Sequence, residues 1–345
     1  MSIQIFRRRA ALVFSLVLTL SVGGALRGED KPKAKSPAAE SAAKKFVVPE
    51  GGVPELVKFL KELKLNRPRS IEERDALFTA GRTAAEKILG LEKDTKSETY
   101  QEALAASLQA GAQLIASWDK EEQKKELDRL EQFLTGRPVT GLEANLAMTT
   151  ASSLERSGNL ELGAEAFRRF GELFAKSSDA KAKQYGGMMA GAARRLGLVG
   201  KPLELAGTKV DGEKFEIAAL KGKVVLVDFW ATWCGPCIAE YPNMKKNYEA
   251  YHAKGFEIVG VSIDQDRSAL EKYLTDKSVP WITLHERDAN GQHPATEHYG
   301  IFGIPAMFLV GRNGKVLSIN ARGKELDKLL EEEFSKPEPS AKTGG

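Results

Sequence analysis

Cysteine is almost absent from this chain. Its 345 residues hold two, Cys234 and Cys237, so an intramolecular disulfide can only join these to each other. A framework of several structural disulfides and a four-cysteine metal site are both excluded. A large excess of one charge sign is missing too: the net charge is +4, and Arg7, Arg8 and Arg9 supply three of those charges. The remainder is close to neutral, which argues against nucleic acid as a main partner. Near the N-terminus the uncharged stretch Ala10 to Ala25 has 16 residues, short of the ~20 that a membrane-spanning helix needs. No cysteine follows that stretch, so a lipoprotein anchor has no attachment point. Histidine directly after the second cysteine is missing as well; Ile238 stands there, which rules out covalent haem attachment.

What is present begins with an export pattern. The three arginines precede an apolar run from Ala10 to Leu20 and then small residues, Ser21-Val22-Gly23-Gly24-Ala25. This pattern predicts a signal peptide over residues 1–25, and export to a periplasmic or other extracytoplasmic compartment where disulfides persist. An uncleaved signal would serve as an anchor. Arg27 to Lys45 offers almost nothing apolar to bury, so residues 26–50 are expected to be a disordered linker.

Residues 51–197 read as an all-helical domain. Apolar side chains recur at helical spacing over Pro54–Leu65, Ser70–Leu89, Ser97–Ser117, Lys120–Leu134, Gly141–Ser157, Leu160–Lys176 and Ala180–Leu196. Ser157-Gly158-Asn159 resembles the turn of a tetratricopeptide helix pair, although no 34-residue repetition accompanies it. Two uses of the domain stay open: a bundle acting as spacer or dimer surface, and a solenoid that binds a protein partner. Gly187 and Gly191 form a small-xxx-small pair that in a soluble helix marks close packing.

From Leu198 the pattern changes to short β runs alternating with helices. Val210-Asp211-Gly212-Glu213 predicts a hairpin turn, Val224 to Trp230 a buried strand, Cys237 to Lys254 a helix and Phe256 to Ile263 a second strand. Ser268 to Glu271 reads as a capping box opening a helix to Asp276. Trp281 to Leu284 is a short strand, Ala306 to Val310 and Lys315 to Ile319 pair around Asn313-Gly314, and Lys324 to Phe334 is a terminal helix. The order fits an α/β domain over residues 198–335, a mixed central sheet of four or five strands flanked by helices, with a frayed tail at 336–345.

The cysteines fall between the first buried strand and its helix. Unpaired N–H groups and the helix dipole there favour a thiolate, the nucleophile of disulfide exchange. The segment Val224 to Pro242, centred on Phe229-Trp230-Ala231-Thr232-Trp233-Cys234-Gly235-Pro236-Cys237, resembles the active site of the thioredoxin superfamily, and Tyr299 to Ala306 resembles its cis-proline loop. Within that superfamily the chain resembles the exported thiol:disulfide oxidoreductases of the TlpA and ResA kind. Glu240 three residues after the second cysteine, the export signal and an inserted helix and strand carry the narrower match. The resemblance is silent on residues 46–197.

The resemblance implies a thioredoxin-like fold and a protein that exchanges its dithiol with disulfides of partner proteins, with a membrane-associated electron donor and no cofactor or metal. Cys234 would be the exposed nucleophile and Cys237 the buried resolving thiol. Asp228, six residues before Cys234, matches a buried acid that could take the proton of Cys237, and Glu240 matches a glutamate that also reaches the site; which of them is the base stays open. The lysine that partners the acid in thioredoxin is missing, since Gly260 holds its place. Trp233, Ile304 and a cis Pro305 would form the edge that receives an extended substrate. Gly235-Pro236 between the cysteines resembles the reducing members, and apocytochrome c before haem attachment is a candidate substrate by analogy. Two rival functions are a thiol peroxidase of the redoxin group and a helical binding module carrying an accessory redox domain. A zinc site built from the cysteines with His293 and His298 is disfavoured, because those histidines lie far along the chain; His252 and His285 read as ordinary histidines.

Overall fold

The structure, a computed structural model, describes residues 37–288, 291 and 293–336. The expected signal peptide, residues 26–36 of the linker and the tail beyond Lys336 lie outside the described residues. The chain divides into two compact units, Met1–Ser157 and Gly158–Gly345.

The first unit is helical: α1 (Pro37–Lys45), α2 (Val53–Leu63), α3 (Ile71–Leu91), α4 (Glu98–Leu114), α5 (Lys120–Leu134) and α6 (Gly141–Arg156). Its helix starts follow local chemistry. Ser70, Ser97 and Asp119 each accept the backbone N–H three residues on, and Thr140 with Glu143 forms a capping box. The expected linker is partly corrected here: Pro37–Lys45 is a helix, because Ala42 and the following Phe46 are buried. Leu56, Ala84, Ile88 and Ala103 fill one core cluster.

Between α3 and α5 lies a bidentate ion pair, Arg82 Nη1 to Glu126 Oε1 at 2.8 Å and Nη2 to Oε2 at 2.7 Å. The guanidinium also faces the ring of Trp118, 4.6 Å from its centroid. Gly111 of α4 makes room, since a Cβ there would overlap both charged groups. Arg82→Met removes both hydrogen bonds from the buried Glu126 carboxylate and leaves it, among the described residues, only Arg129 at 3.8 Å, and is expected to destabilise this unit by about 3 kcal/mol. Urea unfolding followed by circular dichroism would show the shift in midpoint.

The second unit opens with α7 (Leu160–Ala175) and α8 (Ala180–Leu196), followed by β1 (Ala206–Thr208), β2 (Lys214–Glu216), β3 (Val224–Trp230), α9 (Gly235–Tyr251), β4 (Phe256–Ser262), α10 (Arg267–Asp276), β5 (Ile282–Leu284), α11 (Pro294–His298), β6 (Ala306–Val310), β7 (Val316–Ser318) and α12 (Gly323–Ser335). The division at 157/158 falls inside the Ser157-Gly158-Asn159 turn, so α7 and α8 group with the sheet and not with the helices before them. Helices α7 and α8 pack closely: a Cβ on Gly171 would lie 3.1 Å from the carbonyl oxygen of Gly186.

Strands β1 and β2 form a hairpin whose turn places Gly212 at φ +93°. The main sheet has five strands in the order β5-β4-β3-β6-β7. β4 runs parallel to β3, with Val227 opposite Val259, and β6 antiparallel, with Val227 opposite Phe308. Every residue of β3 and β4 is buried, as expected of strands covered on both faces. The two-residue period then sorts β3. Val225, Val227 and Phe229 join Phe308, Tyr299 and Leu203 in one core, while Val224 and Leu226 join Met244, Tyr248, Leu326 and Leu330 in the other. Asp228 shares the parity of Val224 and Leu226, so it points toward α9. The predicted cap of α10 is corrected: Asp266 accepts from Ser268 N and Ala269 N, two residues ahead of the expected Ser268 cap.

Candidate active site at the start of α9

Cys234 and Cys237 are joined as a disulfide. Cys234 is the N-cap of α9, and its sulfur accepts the backbone N–H of Cys237 at 3.2 Å. Pro236 occupies the first turn, where its missing N–H is no loss. The expected contrast in exposure is corrected: the two cysteines are 5% and 4% exposed, and it is Trp233 beside them that stands out at 66%. Place in the helix, not accessibility, distinguishes the two sulfurs.

The turn before the cysteines is fastened by Asp264, which the sequence analysis did not single out. Its buried carboxylate accepts from Thr232 N at 3.1 Å, Thr232 Oγ1 at 2.6 Å and Ser262 Oγ at 2.9 Å, and its carbonyl oxygen lies 2.9 Å from His285 Nε2. Asp264→Ala leaves the Thr232 and Ser262 donors without an acceptor and is expected to destabilise the second unit by about 3 kcal/mol. Tryptophan fluorescence during guanidinium unfolding would read it.

Below the pair, Asp228, Trp230, Tyr273 and Cys237 line a cavity of about 10 Å³ with Ile238, Tyr241, Met244, Val279 and Trp281. That is about the volume a single water needs. Three buried polar atoms around it lack a protein partner: Asp228 Oδ1, Trp230 Nε1 and Tyr273 OH. Burial of the Asp228 carboxyl, reinforced by the negative charge of Glu240 and opposed by Arg322, raises its pKa to about 8. On the far side, the Ile304–Pro305 peptide bond is cis, and Ile304 packs against the cluster containing Cys234, Cys237 and Trp230.

This part of the chain is similar to known proteins. A family model described as Redoxin matches residues 192–331. The thiol-disulfide oxidoreductase ResA of Bacillus thuringiensis subsp. konkukian is 33% identical over 132 residues, which are 38% of this chain and 73% of that protein. The chain belongs to the ResA-like thiol-disulfide oxidoreductases. ResA of Bacillus subtilis is 30% identical over 109 residues, 32% of this chain and 59% of the relative. The thioredoxin domain of a thiol-disulfide oxidoreductase from Bacteroides vulgatus has 32% identity and a TM-score of 0.35, covering 38% of this chain and 93% of that domain.

In this ResA-like domain the two candidate acids are held differently. Glu240 accepts the N–H of Gly323 at 3.1 Å and lies 3.7 Å from Arg322 Nε, an ion pair too long for a hydrogen bond. Asp228 has no such partner for Oδ1 and shares its cavity with Cys237. Gly260 sits opposite Asp228 in the β3–β4 register, and a Cβ there would come within 2.9 Å of Trp230 Nε1. The cation facing Asp228 is Arg322, from the start of α12. No motif marks Arg322 or Asp264, because both reach the site from distant loops.

His293 is buried at the start of α11, where Nδ1 accepts Ala295 N–H at 3.1 Å, and burial lowers its pKa to about 4. Among the described residues no group of three or more His, Cys, Asp and Glu side chains converges as metal ligands. Among those residues no helix is long and apolar enough to cross a membrane.

Proposed function

We propose that this oxidoreductase reduces disulfides of partner proteins outside the cytoplasm, with Cys234 as nucleophile, Cys237 as resolving thiol and Asp228 as proton acceptor. The thiolate of Cys234 attacks one sulfur of a substrate disulfide; that S–S bond breaks and one substrate thiolate leaves. Cys237 then gives its proton toward Asp228 and attacks the Cys234 sulfur, releasing the second substrate thiolate. Two electrons pass to the substrate, and the protein is left with the Cys234–Cys237 disulfide. One observation carries the reading: the pair caps α9 directly above a buried carboxyl with an unpartnered oxygen.

Asp228 is preferred to Glu240 as base because Glu240 is already engaged by Gly323 and Arg322. Trp233, Ile304 and Pro305 frame the pair and are assigned to substrate contact. The Gly-Pro dipeptide supports the reducing direction. A membrane-associated donor would restore the dithiol, and the cysteines of unfolded apocytochrome c, oxidised to a disulfide, fit the substrate class. The export pattern of the first 25 residues supports an extracytoplasmic site of action. The peroxidase alternative, which the Redoxin match keeps in view, requires measurable peroxide turnover by the purified protein.

The reduction potential of the pair tests direction. Equilibration with dithiothreitol or glutathione, followed by the fluorescence of Trp230 and Trp233, is expected to give a value near −270 mV. A value near −120 mV would make the protein an oxidant instead.

A further inference from the structure

Helix α7 and most of α8 lie outside the Redoxin match, yet they belong to the same compact unit as the sheet. They meet the chain where it leads into Pro305. Helix α8 and the turn after α11 touch backbone to backbone. A Cβ on Gly191 would overlap the carbonyl oxygen of Glu297 and lie 2.6 Å from the N of Gly300. Gly300 has φ +55°, and a Cβ there would overlap Ala192 N and the carbonyl oxygen of Met188. Beside this contact, Arg194 Nη1 donates to the carbonyl oxygen of His298. From α7 the fully buried Phe167 stacks on Phe302, with ring centroids 5.8 Å apart and planes inclined by 16°.

Phe302 is two residues before Ile304, whose side chain packs on the cysteine cluster. The segment 297–304 is thus fastened at its start by the glycine contact and Arg194, in its middle by Phe167 and at its end against the cysteines. Phe302 is itself 38% exposed, so burial alone does not fix it. A surface segment without such anchors would sample several conformations and lose binding free energy when a partner ordered it.

We propose that α7 and α8 are the positioning element of the cis-proline loop. They hold the Ile304–Pro305 backbone ready for an extended stretch of a protein substrate, so recognition of protein disulfides depends on a helical hairpin that lies mostly outside the family match. Phe167, Gly191 and Arg194 are positioning residues; their action on substrate runs through Gly300 and Phe302. The inference rests on the disulfide-exchange reading above.

The test uses the full-length protein and two variants, Gly191→Ala and Phe167→Leu, the second retaining an apolar side chain of similar size should the first fail to fold. Three quantities are compared: KM for insulin disulfides, the rate at which dithiothreitol reduces the Cys234–Cys237 bond, and the potential of that bond. KM for insulin is expected to rise roughly tenfold, with the dithiothreitol rate and the equilibrium constant for reducing that bond within about twofold of wild type. An unchanged KM in a folded variant overturns the proposal. Equal losses toward insulin and dithiothreitol also overturn it, because the disturbance would then have reached the cysteines themselves. Wild-type protein that fails to reduce insulin at all overturns the exchange reading and, with it, the proposal that rests on it.

Discussion

Cys234→Ser is expected to abolish insulin reduction, a loss of at least about three orders of magnitude, whereas Cys237→Ser is expected to trap a mixed disulfide with its substrate. The two outcomes follow from position on α9. Cys234 caps the helix, and the sulfur that accepts Cys237 N–H is stabilised as thiolate by that donor and by the positive end of the helix dipole. Serine at this position keeps a hydrogen-bonding cap but has a hydroxyl far too weakly acidic to attack a disulfide. The fold should therefore survive while the chemistry does not.

Cys237 lies one turn further in and lines the Asp228 cavity, so it meets only the Cys234 sulfur, after that sulfur has bonded to substrate. Without it the first exchange proceeds and the second has no nucleophile. Mass spectrometry of the Cys237→Ser protein after incubation with a disulfide substrate should show a covalent adduct that dithiothreitol removes. If Cys234→Ser forms that adduct instead, the assignment of the two sulfurs is reversed. Near-equal burial of the two residues gives no ground for choosing; the helix position does.

How much of this was legible from sequence depended on whether the signal was local. The strand Val224 to Trp230, the cysteine turn and the helix after it stand in one continuous stretch, and the structure places them as β3 and α9. The helices of the first unit were legible because their polar caps and apolar stripes are local as well. Helix α1 was missed because its nine residues carry almost no apolar surface; its burial comes through Ala42 and the adjoining Phe46.

The division at 157/158 was not visible for a related reason. Periodicity shows that α7 and α8 are helices but not what they pack on, and the deciding contacts are Gly191 with Gly300 and Phe167 with Phe302, more than a hundred residues apart. Asp264 and Arg322 share that limitation. One accepts three hydrogen bonds that hold the cysteine turn, and the other faces Asp228 from the start of α12. Neither belongs to a pattern of spacing. Asp228 was reached through the resemblance to the thioredoxin active site, where its place six residues before Cys234 matches a buried acid.

Asp228→Asn is expected to slow substrate reduction by roughly a hundredfold at pH 8, at the low end of what a positioned acid or base supplies, and at the same time to make the protein more stable. The carboxyl is charged in the unfolded chain above about pH 4, whereas burial holds its folded-state pKa at about 8. Between those two values the folded state keeps a proton that the unfolded state has released. The favourable contribution is complete below the unfolded pKa and is lost as pH rises toward 8, by about 1.4 kcal/mol for each pH unit within that window. Asparagine does not titrate, so the stability advantage of the variant should be small at pH 4 and widen up to pH 8. Over the same range the wild-type rate should climb, as the base form of Asp228 becomes populated to accept the Cys237 proton, and the variant rate, which still follows the Cys234 thiolate, should climb less steeply. Denaturant unfolding at pH 4, 6 and 8, with insulin-reduction rates at pH 6 and 8, gives both curves. A variant equal to wild type in stability at pH 8 would show that the carboxyl is not held neutral by burial. A variant that keeps the wild-type rise in rate would transfer the proton to Glu240, whose contacts with Gly323 and Arg322 would then have to open during turnover.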